Sequence, residues 1–530
     1  MKKLISLAVT LSIALSSVPA LAAETPVTDT EDIRPRIIVT TDLECDDMNS
    51  LIHMALFFND LDVDGIVYSA SQYHFIGDGE HTLGEINPNF CCLDPDAENL
   101  ISYRPMEMGW IENLWTNEYA EVYSSLREND VRYPDPEYLI SVTKVGNVEF
   151  EGDVRFDTEG SDWIKAAILD DDDRPLYLMS WGGFNTVARA LLSIADEYQE
   201  TPEWEEIYNK VTKKVIISGY SQDMTYRDYI HDLYTDLVFM ETSDAYEAYF
   251  AAQTGQPDVI EMFRADWMRD NIKFNHGALM EKYGLWGDGT HYEGELDENQ
   301  YGEILVLDWG FGFAYTYNQY DFLGEGDSTG YIALLPFGLR GLEEPMGSTM
   351  SGRITYTTEG DTRSFMEAMM SPSTEIPTDY NPVTGQASNA SGRYLRPYQE
   401  EFAARADWCV SSYEDCNHAP VVSVEELDVE AAPGEHVTLN ASIEDPDGDD
   451  TLAYWWVDVQ NAVYGGEAKA IQVWNPISAS TCFTVPADAL PGDQFCLTLQ
   501  ATDKADAPMT RYAQVLVTVT EPTEVPASEE

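Results

Sequence analysis

Residues 36–41 (RIIVTT) are a β-branched run that ends in a polar cluster, which predicts a first strand. From 49 to 59 the apolar side chains recur at helical spacing, at Leu51, Met54, Ala55 and Phe58. Residues 63–69 (VDGIVYS) predict a second strand. The alternation continues with a helix over 163–169, a strand over 175–180 (PLYLMS) and a Trp181-Gly182-Gly183 turn. A helix through Val187 to Ala195 and a strand over 213–219 (KKVIISG) follow. Strands separated by helices imply an α/β fold built on a mostly parallel, doubly wound sheet. Such sheets bind ligands beyond the carboxyl ends of their strands. Candidate chemistry is therefore sought just after each strand.

From about residue 418 the pattern changes to short alternating runs at 435–443, 452–459, 468–474, 481–485, 494–502 and 511–520. Turns such as Pro446-Asp447-Gly448-Asp449 and Pro491-Gly492-Asp493 separate them. This predicts an all-β, antiparallel, immunoglobulin-like sandwich over 418–521, followed by a polar tail at 522–530. Residues 371–392 are rich in Ser, Thr, Pro, Asn and Gly and predict a long surface loop, and 396–410 predict a helix before a domain boundary near Asn417. Trp455 and Trp456 are adjacent, so on a strand one enters the core and the other faces out, partly buried or offered to a sugar ring. The run 445–450 (DPDGDD) lacks the glutamate an EF-hand needs at loop position twelve, where Trp456 stands, and reads as a surface turn. Asp170 to Asp173 reads as a solvated turn.

Composition narrows the partners. A hydrophobic content of 44% with 12% aromatics supplies a core and excludes a disordered chain. A net charge of −66 excludes a basic groove for nucleic acid and polybasic adhesion to membranes. Lys2 and Lys3, the mostly apolar stretch Leu4 to Leu15 and Ala20-Leu21-Ala22 form a signal-peptide pattern with cleavage expected after Ala22. Residues 23–417 then make the α/β domain of an exported, soluble protein. Export permits disulfides. Cys409/Cys416 and Cys482/Cys496 are the close pairs among seven cysteines, an odd number that leaves at least one thiol unpaired within the chain.

The segment directly after the first strand, Asp42-Leu43-Glu44-Cys45-Asp46-Asp47, places four carboxylates in six residues. Like charges so close are costly unless a cation neutralises them. All-oxygen donors favour calcium or magnesium. A metal-bound water beside a carboxylate base is a nucleophile near neutral pH. Gln72, Asn185, Gln222 and Asp223 also lie just past predicted strands, where amides and carboxylates suit sugar hydroxyls or simply form turns. His74 and His276 are the candidate proton donors to a leaving group, or else structural histidines.

The segment TTDLECDD-MNSL resembles the aspartate-rich signature D-x-D-x-G-x-D-D of the inosine–uridine-type nucleoside hydrolases. It is more similar to a secreted branch described as nucleoside-hydrolase-like, cellulose-binding proteins. SASQYH (69–74), WGGFNT (181–186), GYSQD (219–223) and EGDS (325–328) look like that branch, as does the C-terminal stretch from VPADALPGDQ onward. The resemblance implies that Asp42, Asp47 and Asp327 ligate calcium, with a backbone carbonyl near Asn185 or Thr186. It implies Asp42 as the base that activates water and Asp46 as a partner of a sugar hydroxyl. Thr40 stands where the signature has its first aspartate, and Glu44 where it has glycine.

Three readings follow. One is a secreted, calcium-dependent hydrolase of an N- or O-glycosyl bond in a nucleoside or carbohydrate. The second is a non-catalytic carbohydrate-binding protein, for cellulose or another polysaccharide, that retains fold and metal. The third is a surface or assembly protein whose sandwich contacts partners, including further copies of the chain.

Overall fold

Strand β1 (Arg36–Thr41) is buried at every position, and its two-residue alternation divides the core. Ile37 and Val39 face one hydrophobic cluster with α1 (Cys45–Ala55), while Ile38 faces the other with α2 (Glu159–Leu169) and α3 (Asn185–Tyr198). The computed structural model describes residues 34–90, 95–219, 223–242, 257–290, 304–307, 313–344, 346–363, 379–381, 386–388, 391–458 and 471–521. The candidate signal segment, Cys91, Cys92 and Gln222 lie outside the described residues.

The central sheet has seven strands in the order β3 (Thr143–Val145), β2 (Asp62–Tyr68), β1, β4 (Leu176–Ser180), β5 (Val215–Ser218), β6 (Val238–Glu241) and β7 (Thr355–Thr357). All neighbours are parallel except β6 and β7. Strand order reverses between β1 and β4, so the switch point of the sheet opens just after Thr41 and Ser180. Helix α1 starts four residues earlier than the apolar period alone predicts. Asp46 and Asp47 occupy its first turn, where carboxylates interact favourably with the helix N-terminus. Lys213 and Lys214 close helix α4 (Trp204–Lys214) rather than opening β5. Strands β3, β6 and β7 have three or four residues each, too few to show a period in sequence. Asp170 is not a freely solvated turn residue. It binds Lys214 and accepts from Arg36 Nη2 at 2.5 Å. Partial burial would raise its carboxyl, but these two cations outweigh that and hold it down at about 2.

The C-terminal strands form two four-stranded sheets. One has the order β8 (Val421–Val424), β10 (His436–Glu444), β13 (Ser480–Thr484), β12 (Val473–Trp474). The other has β9 (Asp428–Ala431), β15 (Thr510–Val519), β14 (Gln494–Asp503), β11 (Thr451–Asp458). The sandwich is mixed rather than wholly antiparallel, because β9 runs parallel to β15. Trp455 is the core tryptophan, and its indole donates to Ser478 O at 3.0 Å. Trp456 lies on the other face, stacked on Tyr454 with ring centroids 6.0 Å apart and covered by Arg393. Phe483 and Phe495 meet in the core at 5.5 Å, so Cys482 and Cys496, one residue from each, point away from it. Neither of the two close cysteine pairs is bridged: Cys482 and the buried Cys409 and Cys416 are thiols. Within the stretch predicted as one long loop, 379–381 pairs antiparallel with 386–388; the rest of it up to residue 390 lies outside the described residues. No helix among the described residues is long and apolar enough to cross a membrane.

Helix α5 (Ser391–Trp408) joins the two parts. Its buried Arg405 donates to Glu401 at 2.9 Å, Asp60 at 2.7 Å, and Leu56 O at 2.8 Å. Glu401 in turn accepts from Arg511 of β15 at 2.6 and 3.0 Å. Gln514 Oε1 accepts from the Arg340 and Ser348 amides, and Tyr512 N donates to Phe337 O at 2.7 Å. A Cβ at Gly338 (φ +90°) would lie 2.0 Å from Tyr512 O, so only glycine permits this approach. Asp447 caps the linker by accepting from His418 N at 2.6 Å, which gives the 445–450 turn a joining role. Replacing Glu401 takes the shared carboxylate from two guanidinium groups, leaving Arg405 with Asp60 and Arg511 with the Thr510 carbonyl. Glu401→Ala is expected to cost about 3–5 kcal/mol, read from the urea midpoint, with both parts melting in one transition. A cost below about 1 kcal/mol would refute the shared ion network as a structural tie.

Candidate metal centre

Past Thr41 the chain turns through Leu43, whose φ of 56° is rare for a bulky side chain. Burial of the Leu43 side chain and a 3.1 Å bond from its amide to Thr41 Oγ1 hold the turn. The Thr41 hydroxyl donates to Asp47 Oδ1 at 2.6 Å. The turn therefore delivers Asp42 at the end of β1 and Asp46 and Asp47 in the first turn of α1. Gly182 of the turn after β4 completes the wall: a Cβ there would lie 2.8 Å from Asp42 Cγ, and φ is +84°. Asp327 arrives from a distant turn whose Gly326 amide donates to Asp46 Oδ2 at 3.2 Å.

Asp46, Asp47 and Asp327 each present one carboxylate oxygen within 4.8 Å of the others. Asp47 also shares hydrogen bonds with Asp42 and with Asp327. Asp47 is buried, whereas Asp46 and Asp327 keep a solvent-facing edge. Burial, then Glu44 and Asp42, push Asp46 up to about 7. Burial and the facing carboxylates raise Asp47 and Asp327 well above the usual carboxylate range. Three acids converging on one point, with Asp42 against one of them, is a charge arrangement that a divalent ion relieves. The all-oxygen donor set and the space kept by Gly182 fit calcium or magnesium.

The structure thus gathers Asp46 with Asp47 and Asp327 and sets Asp42 against Asp47. Glu44 faces the same cluster and contributes to raising Asp46 and Asp327. His74, fully buried, lies 3.6 Å from Glu44, and Arg104 lies 3.5 Å from it. Arg104 comes from a loop without a motif, so no sequence signal marks it. Gln72 is buried in the tight turn in which Ser71 Oγ accepts from the Tyr73 and His74 amides. His276 joins other elements: its ring lies 3.1 Å from Asp407 of α5 and 3.3 Å from Asp270 O.

Asn185 and Asp223 bind the rim together. Asn185 Oδ1 accepts from Ser69 Oγ at 2.8 Å, and its Nδ2 donates to Asn147 O at 2.8 Å. One amide thereby ties the loops after β2, β3 and β4. Asp223 accepts from the Phe184 and Thr225 amides, each at 2.9 Å, and so caps the start of α3; burial pushes it up to about 6.

Residues 36–354 match a family profile described as Cellulose-binding Sde182, nucleoside hydrolase-like domain. Residues 436–519 match Cellulose-binding protein Sde0182, C-terminal domain. A solved structure of a nucleoside hydrolase-related hypothetical protein from Saccharophagus degradans, associated with carbohydrate metabolism, has the same fold. It is 19% identical over 92% of this chain and 100% of that one, with a TM-score of 0.64. Fibronectin(III)-like modules of Clostridium thermocellum CbhA share 20% identity over 19% of this chain and 100% of theirs, with a TM-score of 0.13, too low to carry weight. No curated protein matches the chain.

The raised carboxyls set a pH dependence. Each of Asp46, Asp47 and Asp327 contributes stability that is complete below about pH 4 and is lost as pH rises through its elevated folded value, about 7 for Asp46. In EDTA the melting midpoint is expected to fall between about pH 5 and 8, less steeply in Asp46→Asn, and added calcium should flatten or reverse the fall. An identical slope in parent and variant would contradict this electrostatic account.

Proposed function

The chain belongs to the nucleoside hydrolase-like, cellulose-binding Sde182 family, and on that premise we propose that it is an exported, calcium-dependent hydrolase of an N- or O-glycosyl bond. The observation that carries the reading is the convergence of Asp46, Asp47 and Asp327 beside Asp42 at the switch point of the sheet. These three aspartates would hold the ion, which supplies Lewis-acid activation of water and orientation of sugar hydroxyls. Asp42 takes the proton from the attacking water as base. The solvent-facing edges of Asp46 and Asp327 bind the sugar side, and negative charge around the site stabilises an oxocarbenium-like transition state. His74, linked to the rim through Glu44, is the candidate donor to the leaving group. The signal pattern ending at Ala22 supports export.

A second reading, a non-catalytic carbohydrate binder, is favoured by particular residues. Glu44 fills the position the related signature gives to glycine, and Asn185 is committed to the rim loops. The family description supports carbohydrate as the ligand, and a strongly negative chain suits a neutral polysaccharide.

Asp42→Asn is expected to lower hydrolysis of a panel of aryl glycosides and nucleosides by about 10²–10⁴-fold while the protein stays folded. Equal turnover in parent and variant would sink the catalytic assignment. If the parent hydrolyses nothing in the panel, yet the full chain is retained on insoluble cellulose, the binding reading replaces it.

A further inference from the structure

Helix α1 carries its first-turn aspartates at one end and three buried polar side chains, Asn49, Ser50 and His53, further along. A helix packed against a hydrophobic core has no need of polar groups there, and each unpaired one would be costly. All three meet the segment that leads to Asp327 and its neighbours. Asn49 Nδ2 donates to Gly324 O at 3.1 Å and Gly284 O at 3.0 Å, and Asn49 Oδ1 accepts from Gly284 N at 2.7 Å. The Ser50 and Ser328 hydroxyls lie 3.0 Å apart. His53 Nδ1 lies 3.0 Å from both oxygens of Glu325. Glu325 also accepts from Ser328 Oγ at 2.7 Å and from the Tyr283 hydroxyl. The His53 ring is stacked on Phe402, with centroids 3.5 Å apart. Both His53 and Glu325 are wholly buried.

The 325–328 turn carries the one aspartate of the cluster that is not on or next to α1. The like charge of Asp46, Asp42 and Glu44 opposes the approach of Asp327 more than its hydrogen bond with Asp47 favours it, which biases the turn to move outward. The contacts on both flanks of Asp327, Glu325 to His53 and Ser328 to Ser50, resist that movement. They tie the turn to the helix that positions the other two aspartates. Outer residues that orient ligands typically affect metal affinity about 10–100-fold.

We propose that the His53–Glu325 and Ser50–Ser328 contacts form a positioning clamp that presets Asp327 against Asp46 and Asp47 and thereby sets the affinity of the centre for calcium. This rests on the reading of the cluster as a calcium site. His53 and Glu325 are positioning residues, acting through Asp327.

The test is calcium titration of the full chain by calorimetry, with terbium luminescence lifetime as the report on coordinated water. Parent, Glu325→Gln, His53→Gln, Ser328→Ala and Asp327→Asn are compared, each with its melting midpoint in EDTA. The clamp variants are expected to bind calcium about 10–100-fold more weakly and to admit additional coordinated water. A purely structural role would lower the EDTA midpoint and leave affinity and lifetime unchanged, and that result overturns the proposal. If Glu325→Gln does not fold, Ser328→Ala, which removes one hydroxyl, decides. Loss of binding in Asp327→Asn with parental binding in the clamp variants refutes the clamp alone. Absence of calcium binding by the parent refutes the site reading and the clamp with it.

Discussion

Repulsion among Asp42, Asp46, Asp47 and Asp327 is the constraint around which this end of the molecule is arranged. Buried carboxylates that face each other are stable only if protonated, hydrogen-bonded or neutralised by a cation. The protein supplies partial compensation. The N-terminus of α1 receives two of the acids, the Thr41 hydroxyl donates to Asp47, and the Gly326 amide donates to Asp46. The left-handed turn at Leu43 and the missing side chain at Gly182 keep the acids together where an ordinary loop would spread them. Crowded like charge beside a left-handed residue at the switch point sets this cluster apart from a solvated acidic turn.

The polar residues around the cluster divide into two sets. Asn185 and Asp223 direct their hydrogen bonds inward, to the loops after β2, β3, β4 and β5. They give the rim its shape. Asp46, Asp327 and Glu44 are only partly buried, so the solvent-facing side of the cluster presents carboxylates. That geometry suits hydroxyl-rich or cationic ligands and repels anions.

The sandwich is built into the same unit. Glu401 is shared between Arg405, which reaches back to Asp60 near α1, and Arg511 of the sandwich. Buried ion pairs add little net stability over well-packed apolar groups, but losing one partner is expensive. The interface therefore fixes which surfaces meet more than it glues them, and it joins the sandwich to the helix that also stacks Phe402 on His53.

Local patterning was enough for the alternation of strands and helices, the change of grammar near residue 418, and the carboxylates after the first strand. These depend on neighbours along the chain: the two-residue and 3.6-residue periods, turn residues and charge crowding. Short strands such as β3 and β6 left no such trace. The pairing of Asp170 with Arg36 and the outward aim of Cys482 and Cys496 are equally invisible locally. The division of labour among site residues was also beyond the sequence. Asp46 and Gly326 are 280 positions apart, and His53 and Glu325 are 272 apart. Whether a polar side chain lines an opening or clamps a loop depends on which distant backbone folding brings beside it. Residue type and spacing determined that acids would crowd after β1; only the tertiary structure decided that Asp327 completes the cluster and that Asn185 and Asp223 brace it.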